Sequence, residues 1–423
     1  MNVSVLGGGI AGLSSAFYLA TRQNIPKISL YEASNKLNGW INSESHNGYY
    51  FESSARTLRP KGITGNTTLE LIQLLGLEDK IVPITSERVA GKFRLTYRDK
   101  QFFEVTREID NDLKKLFSSV STDNESIYNF TSKRLGKDLA DNIISPMIGG
   151  ICVGDAKEIS AKFLAKGKDS PAFEPVELYN KARNEHWNFY TLQGGLETLP
   201  KAVIENLSQG GKVSLNTSSS CSKIHFEDDG SVKLSINENV ETASHVISAL
   251  PSHRLAPLIE HQHPELAHDL AQLKSNDSAT VNLHFPSENL LKKKGFGVFV
   301  PPAENSPITG IIFDSMLADM KGTTVTVIFG GKSFGNLDDR ELLETALQQV
   351  KEILGITEAP DNSKVTVMRK SFPQYNIGHY TLIEKIKNYI KANKLPLSLC
   401  GQSYDGIGIN EVILSAKLAA FEF

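Results

Sequence analysis

The stretch VSVLGGGIAGLSSAFYLATRQNIPKISLYEAS, residues 3–34, decides the fold. Residues 3–6 read as a buried strand, residues 10–21 carry helical periodicity, and residues 27–31 return to a strand pattern. Gly7, Gly9 and Gly12 stand in GxGxxG spacing between the first strand and the helix, and Glu32 closes the second strand twenty positions beyond Gly12. That combination predicts a βαβ dinucleotide site. Gly7 permits the tight turn, Gly9 lets the backbone approach a pyrophosphate, and Gly12 lets the helix pack closely on the strand. The unpaired N–H groups opening the helix receive the phosphates, and Glu32 accepts from ribose hydroxyls. The fingerprint alone does not choose between FAD and NAD, and its plain alternative is a glycine-rich turn with no ligand.

Working outward, the chain has 423 residues, 40% apolar and 22% charged, with a formal net charge of -3. This is ordinary globular composition with room for two or three cores, and it offers no broad attraction for nucleic acid. Cys152, Cys221 and Cys400 are odd in number and far apart, so neither a disulfide framework nor a zinc site is expected, and no metal is assigned. No apolar run reaches the roughly 18–20 residues of a spanning helix. The first strand begins almost at once, so an Arg-rich presequence or secretory leader is not expected.

Beyond the βαβ unit, residues 110–166 change to charged helical segments such as SIYNFTSKRLGKDLADNII, which predicts an inserted helical subdomain. After Trp187 the α/β pattern resumes, with a turn and helix in LQGGLETLPKAVIENL and strands near Val213, Ile224, Val232 and in HVISAL. From 279 to 369, strand-like runs surround one amphipathic helix at 339–354, which predicts an antiparallel sheet with a helix on it.

Several further segments carry a resemblance in this order: EASNKLNGWI, FESSARTLRP, RLG, LQGGLETLP, HVISALP, GFG, GIIFDS, VTVIFGG, PQYNIGHY and GQSYDGIGINEVI. Nearly end to end, the chain resembles the oxygen-dependent, FAD-containing protoporphyrinogen oxidase family of amine-oxidase-like flavoproteins. The resemblance implies an α/β and α+β architecture: a discontinuous Rossmann-type FAD-binding domain (1–82, 188–260 and 396–423), a sheet-rich substrate domain (83–95, 176–187 and 261–395) and a helical, membrane-associating subdomain (96–175). It implies one non-covalent FAD and oxidation of protoporphyrinogen IX to protoporphyrin IX with hydrogen peroxide release, the penultimate step of haem synthesis.

Carried over by position, the cofactor contacts are Gly7, Gly8, Gly9, Ile10, Ala11, Gly12, Glu32, Ala33, Trp40, Ser54, Ala55, Arg56, Thr57, Val246, Ile407, Gly408 and Ile409. The substrate contacts are Arg94, placed to pair with a propionate, Arg56, placed beside flavin and substrate, and Phe296, Phe299 and Ile328 as ring clamps. Either arginine has the alternative of a packed surface stem, and each clamp that of ordinary sheet core. No residue is assigned as catalytic acid or base, because a porphyrinogen is already electron-rich and needs mainly placement against the flavin. His379 and Asp314 are read as structural. Cys400 is not read as a covalent flavin anchor.

Three positions depart from the family pattern: Ser54 and Ala55 replace Gly-Pro, and Asn38 replaces a glycine, which puts the tight approach to the flavin in question. The helical region is also poor in the apolar residues that seat a helix in a bilayer. Expected partners are protoporphyrinogen IX, molecular oxygen, a second copy of the chain and a ferrochelatase, and the expected address is the intermembrane-space side of the inner mitochondrial membrane, held peripherally. Two alternatives stay open: another flavin amine oxidase or desaturase, and a non-catalytic FAD- or tetrapyrrole-binding homologue.

Overall fold

A computed structural model describes residues 2–25, 27–89, 95–98, 101–104, 113, 115–165, 172–331, 335 and 337–422. The βαβ start forms as read: the strand Asn2–Leu6, the helix Ile10–Thr21 and the strand Lys27–Tyr31. These two strands sit inside a five-stranded sheet that runs, edge to edge, Leu397–Leu399, His245–Ser248, Asn2–Leu6, Lys27–Tyr31 and Val213–Asn216. Every neighbouring pair is parallel. Each of the first two strands is buried at four consecutive residues after an exposed first one, because helices cover one face and a second layer the other.

On one face the helices Ile10–Thr21, Thr198–Gly210 and Ile409–Phe421 share a core with Leu13, Val203 and Ile413. On the other lies a three-stranded antiparallel sheet (Cys221–Phe226, Val232–Ile236 and Asn239–Ala243), packed with the helices Pro264–Gln272 and His379–Ala392. Those two helices fall within the 261–395 span expected of the substrate domain, yet Leu266, Leu270, Ile383 and Ile386 bury against the dinucleotide-binding layer.

The second large sheet has seven strands, in the order Asn362–Pro373, Ser275–Phe285, Thr323–Gly330, Gly310–Ile312, Gly297–Phe299, Leu95–Arg98 and Gln101–Glu104. It is antiparallel except where Gly297–Phe299 runs parallel to Leu95–Arg98. The last two strands carry the sheet past residue 95, into the span expected to be helical.

Period-two alternation divides its faces. Ala279, Val281, Leu283, Val325, Val327 and Phe329 turn toward the helix Asp339–Leu354, whose Leu342, Ala346 and Val350 complete that core. This helix begins at a capping box between Asp338 and Glu341 and stops at left-handed Gly355. The opposite face carries Thr280, Asn282, Thr326 and Ile328, and it meets the dinucleotide layer: Thr280 Oγ1 donates to Ser53 O at 3.1 Å and Asn282 Nδ2 to Glu52 O at 3.1 Å.

The inserted segment contains the helices Ile127–Leu135 and Ser145–Cys152, joined through a π-turn at Ala140–Ile144. Ile127, Phe130, Ile148 and Phe163 form its core together with Tyr375.

Candidate active site

The glycine turn has the geometry its residues require. Gly7 adopts φ +103°, and a Cβ on Gly12 would stand 1.8 Å from Gly7 O, so the helix can reach the strand only without a side chain there. Gly8 N–H donates to Glu32 Oε2 at 2.7 Å and Ser34 N–H to Glu32 Oε1 at 2.8 Å. The carboxylate is therefore held at the strand end, each oxygen keeping a lone pair for a ribose hydroxyl. The helix Ile10–Thr21 starts at Gly9 without a side-chain cap, and the helix Ile409–Phe421 starts in the same way at Gly408. Both ends aim unpaired N–H groups and positive partial charge outward. A bare glycine cradle, a fixed ribose acceptor and two open helix starts fit a dinucleotide with a second, C-terminal contact.

The three departures are accommodated locally. Asn38 takes φ +92°, the backbone a glycine would supply and one that Asn tolerates. Its N–H donates to Gly8 O at 2.8 Å and its Nδ2 to Glu197 Oε1 at 2.6 Å, tying the turn to the LQGGLE loop. Gly39, which follows it, lies so close to Gly9 that a Cβ would come within 3.0 Å of the Gly9 Cα. Ser54 Oγ donates to Trp40 O at 2.7 Å, a hydrogen bond a glycine there could not make. Ala55 packs against the helical core, Trp40 is 44% exposed, Ala33 is exposed and Thr57 is half-buried.

Arg56 is buried and committed within the protein. Nε donates to Asp314 Oδ1 at 2.7 Å, and the terminal nitrogens donate to Ser54 O at 2.5 Å and Glu52 O at 3.0 Å. Asp314 also accepts from Thr326 Oγ1 at 2.7 Å, so the pair pins residues 52–56 to the seven-stranded sheet. This makes Arg56 a holder of the loop 52–56, with all three guanidinium nitrogens engaged by acceptors of the protein itself. Glu52 lies in the same network, accepting from Leu196 N–H at 2.7 Å and Ser43 Oγ at 2.8 Å. Burial pushes its carboxyl up to about 7, with Asp314 adding to the rise and the hydrogen bonds and Arg56 opposing it.

Val246 does not take its expected position. It is fully buried in the strand His245–Ser248, opposite Ser4 on one side and Leu397 on the other, and its N–H donates to Pro396 O. A central strand of a parallel sheet has no backbone left for an adenine edge. Residues 217–221 pass the ribose end instead: Ser218 N–H donates to Ser34 O and Ser219 N–H to Glu32 O, both at 2.8 Å. Nothing in TSSSC advertised this, since the approach is made by backbone alone.

On the sheet face that meets residues 52–53, Thr96, Phe299, Gly310, Ile328 and Thr280 lie in one row across five strands. Phe299 and Ile328 are both half-buried there, forming an apolar platform. Phe299 also lies against the helix Ser145–Cys152, where a Cβ on Gly150 would come within 2.3 Å of its ring. Phe296 belongs to a neighbouring cluster with Ile84 and Leu317, its ring 5.3 Å from that of Phe189. Arg94 lies outside the described residues. Ile407 packs on the helical cluster, as Phe299 does, and precedes Gly408 and Ile409 at the open helix start.

Cys400 is fully buried, 3.4 Å from Ser15 Oγ, and burial pushes its thiol up to about 12, which removes it as a covalent anchor. Among the described residues no cluster of three His, Cys, Asp or Glu could hold a metal.

The family profile described as flavin containing amine oxidoreductase matches residues 10–422. The chain belongs to the flavin-containing amine oxidoreductase family. A flavin cofactor follows from that membership. Over 99% of the chain and 97% of the relative, it is 31% identical to the protoporphyrinogen oxidase of Bos taurus. A solved structure from Exiguobacterium sp. 255-15, named provisionally as a protoporphyrinogen oxidase, superposes with a TM-score of 0.79 at 22% identity, covering 100% of this chain and 98% of that one. Cyclohexylamine oxidase from Brevibacterium oxydans superposes at 0.75 with 12% identity, covering 100% and 99%. Both structural likenesses concern the fold alone, which serves porphyrinogen and amine chemistry alike.

Proposed function

We propose that this flavoprotein is an FAD-dependent protoporphyrinogen oxidase. It takes six electrons and six hydrogens from protoporphyrinogen IX in three two-electron steps, passing them to three molecules of oxygen as three of hydrogen peroxide. The full-length match to the bovine protoporphyrinogen oxidase carries this reading. The apolar platform of Phe299 and Ile328, on the sheet face that meets the flavin-side loop, supplies a surface suited to a flat macrocycle.

When bound non-covalently, FAD supplies the hydride-accepting and oxygen-reducing chemistry. The protein's part is placement. Glu32 and the open start at Gly9 hold the adenosine and pyrophosphate end, and the N–H groups after Gly408 stabilise negative charge at the flavin's carbonyl edge. Phe299 and Ile328 support the macrocycle by one face, and Arg94 pairs with a propionate at the rim. No side chain is required as a base, since a pyrrole nitrogen can drive hydride departure from the adjoining carbon.

The test is to purify the protein, record its visible spectrum, add protoporphyrinogen IX in air and follow porphyrin fluorescence and peroxide together. Fluorescence rising faster than spontaneous oxidation, with peroxide, supports the proposal. Bound FAD without porphyrin formation, but with turnover of an alkylamine, would replace it with an amine oxidase. Absence of any flavin from the purified protein, and failure to take up added FAD, would sink it.

The proposed address is the intermembrane-space side of the inner mitochondrial membrane, with peripheral attachment and contacts to a second copy and to a ferrochelatase. Among the described residues no helix is long and apolar enough to cross a membrane. Carbonate extraction of isolated mitochondria and crosslinking test the attachment and the contacts.

A further inference from the structure

Residues 401–408, which deliver Ile407 and the open helix start to the flavin, contain two pivots: Gly401 at φ +108° and Gly406 at φ +136°. Glycine imposes no restraint of its own at such angles, so the loop must be fixed from outside. Tyr375 reaches it from the end of the strand Asn362–Pro373. Its hydroxyl donates to Gln402 O at 2.8 Å and accepts from Gly406 N–H at 2.6 Å, bridging both limbs of the loop.

The ring that carries this hydroxyl is immobilised in turn. It stacks on His379 with centroids 3.8 Å apart and meets Phe163 edge-on at 5.5 Å. Its segment is stitched to the helical subdomain, with Ser160 N–H donating to Tyr375 O at 2.9 Å and Gln374 Nε2 to Cys152 O at 3.1 Å. Tyr375 itself is a buried member of that subdomain's core, and Ile407 packs on the same cluster.

We infer that Tyr375 is a positioning residue for the flavin: its hydroxyl clamps residues 402–406 and so sets where Ile407 and the N–H groups opening the helix Ile409–Phe421 point. The assignment rests on the flavin reading above. It also makes the helical subdomain the mechanical support of the flavin-facing loop. Burial holds the phenol well above its ordinary pKa, so the donor to Gln402 O persists at any working pH.

Tyr375→Phe keeps the packed ring and removes only the bridge, leaving Gly406 N–H and Gln402 O without it. Two readouts are taken on the full chain: hydrogen exchange of the peptide spanning 401–408, with and without FAD, and the rate of flavin fluorescence recovery as FAD dissociates. Both are expected to speed up by roughly tenfold or more, equivalent to about 1.4 kcal/mol or above, the lower end of the scale for two lost buried hydrogen bonds. Tyr380→Phe is the control, because the Tyr380 hydroxyl is buried beside the same cluster with no hydrogen-bond partner. It is expected to leave both rates unchanged. Unchanged rates in Tyr375→Phe, or an equal rise in Tyr380→Phe, overturn the assignment. An unsubstituted chain that takes up no FAD overturns the flavin reading instead, and is told apart because loop exchange in the FAD-free protein still responds to Tyr375→Phe.

Discussion

Replacing Asp314 with alanine removes the counter-charge of a cation that is almost entirely shielded from water. The Arg56 and Asp314 side chains are 7% and 5% exposed, with Nε and Oδ1 at 2.7 Å. Leaving one member of such a pair buried and uncompensated costs about 3–5 kcal/mol, and here Thr326 Oγ1 loses its acceptor as well. With an unfolding entropy of about 2.1 cal/mol/K per residue over 423 residues, each kcal/mol is worth about 1 °C, so the unfolding midpoint should fall by about 3–6 °C. Arg56→Met strands the Asp314 carboxylate and should cost a similar amount. In the double variant neither charge is left alone, so its loss should be smaller than the sum of the two single losses by about 2–3 kcal/mol. Thermal and urea unfolding of all four proteins, followed by circular dichroism, complete the cycle. Additivity to within about 0.5 kcal/mol would refute the claim that this pair pins the flavin-side loop to the substrate sheet.

Glu52, with a folded pKa raised from the usual carboxylate range to about 7, contributes stability that is fully present at pH below about 4.5 and is lost as pH rises through 7. Glu52→Gln should flatten that decline in a series of midpoints against pH, and an unchanged slope would count against the burial argument. Asn38→Gly should keep the turn, whereas Asn38→Ala must hold φ +92° without the Glu197 hydrogen bond and should lose about 1–3 kcal/mol along with flavin retention, read from visible absorbance per protein. Gly150→Ala displaces the Phe299 ring from its place against the helix Ser145–Cys152 and should cost about 1–3 kcal/mol in substrate binding, read as a raised KM with bound flavin unchanged.

Local patterns were legible wherever the physics is local. The turn at Gly7 to Gly12 is written in residues that are the only ones able to adopt it, and the helix Asp339–Leu354 announces itself through its cap, its periodicity and its terminal glycine. The alternation in TVNLHF and TVTVIF foretold strands and also which side chains share a face, though not that the polar face would meet the flavin layer. Val246 was misplaced because an apolar strand reads the same whether its backbone lies free at a sheet end or is paired on both sides. The helices Pro264–Gln272 and His379–Ala392 were assigned by their neighbours in the chain, whereas their apolar stripes bury against a sheet built from distant segments.

By itself the sequence determined the glycine turn, the placing of Glu32 at the end of the second strand and the class of fold, because each depends on backbone conformations and periodicities set by residues close in the chain. Only the tertiary structure decided what Arg56 does, since its partner Asp314 lies 258 positions away. It also decided that Tyr375 bridges Gln402 and Gly406 and that Phe299 and Ile328 stand in one row. Those pairings follow from packing of buried surfaces across layers, and a linear pattern carries no record of which surfaces meet.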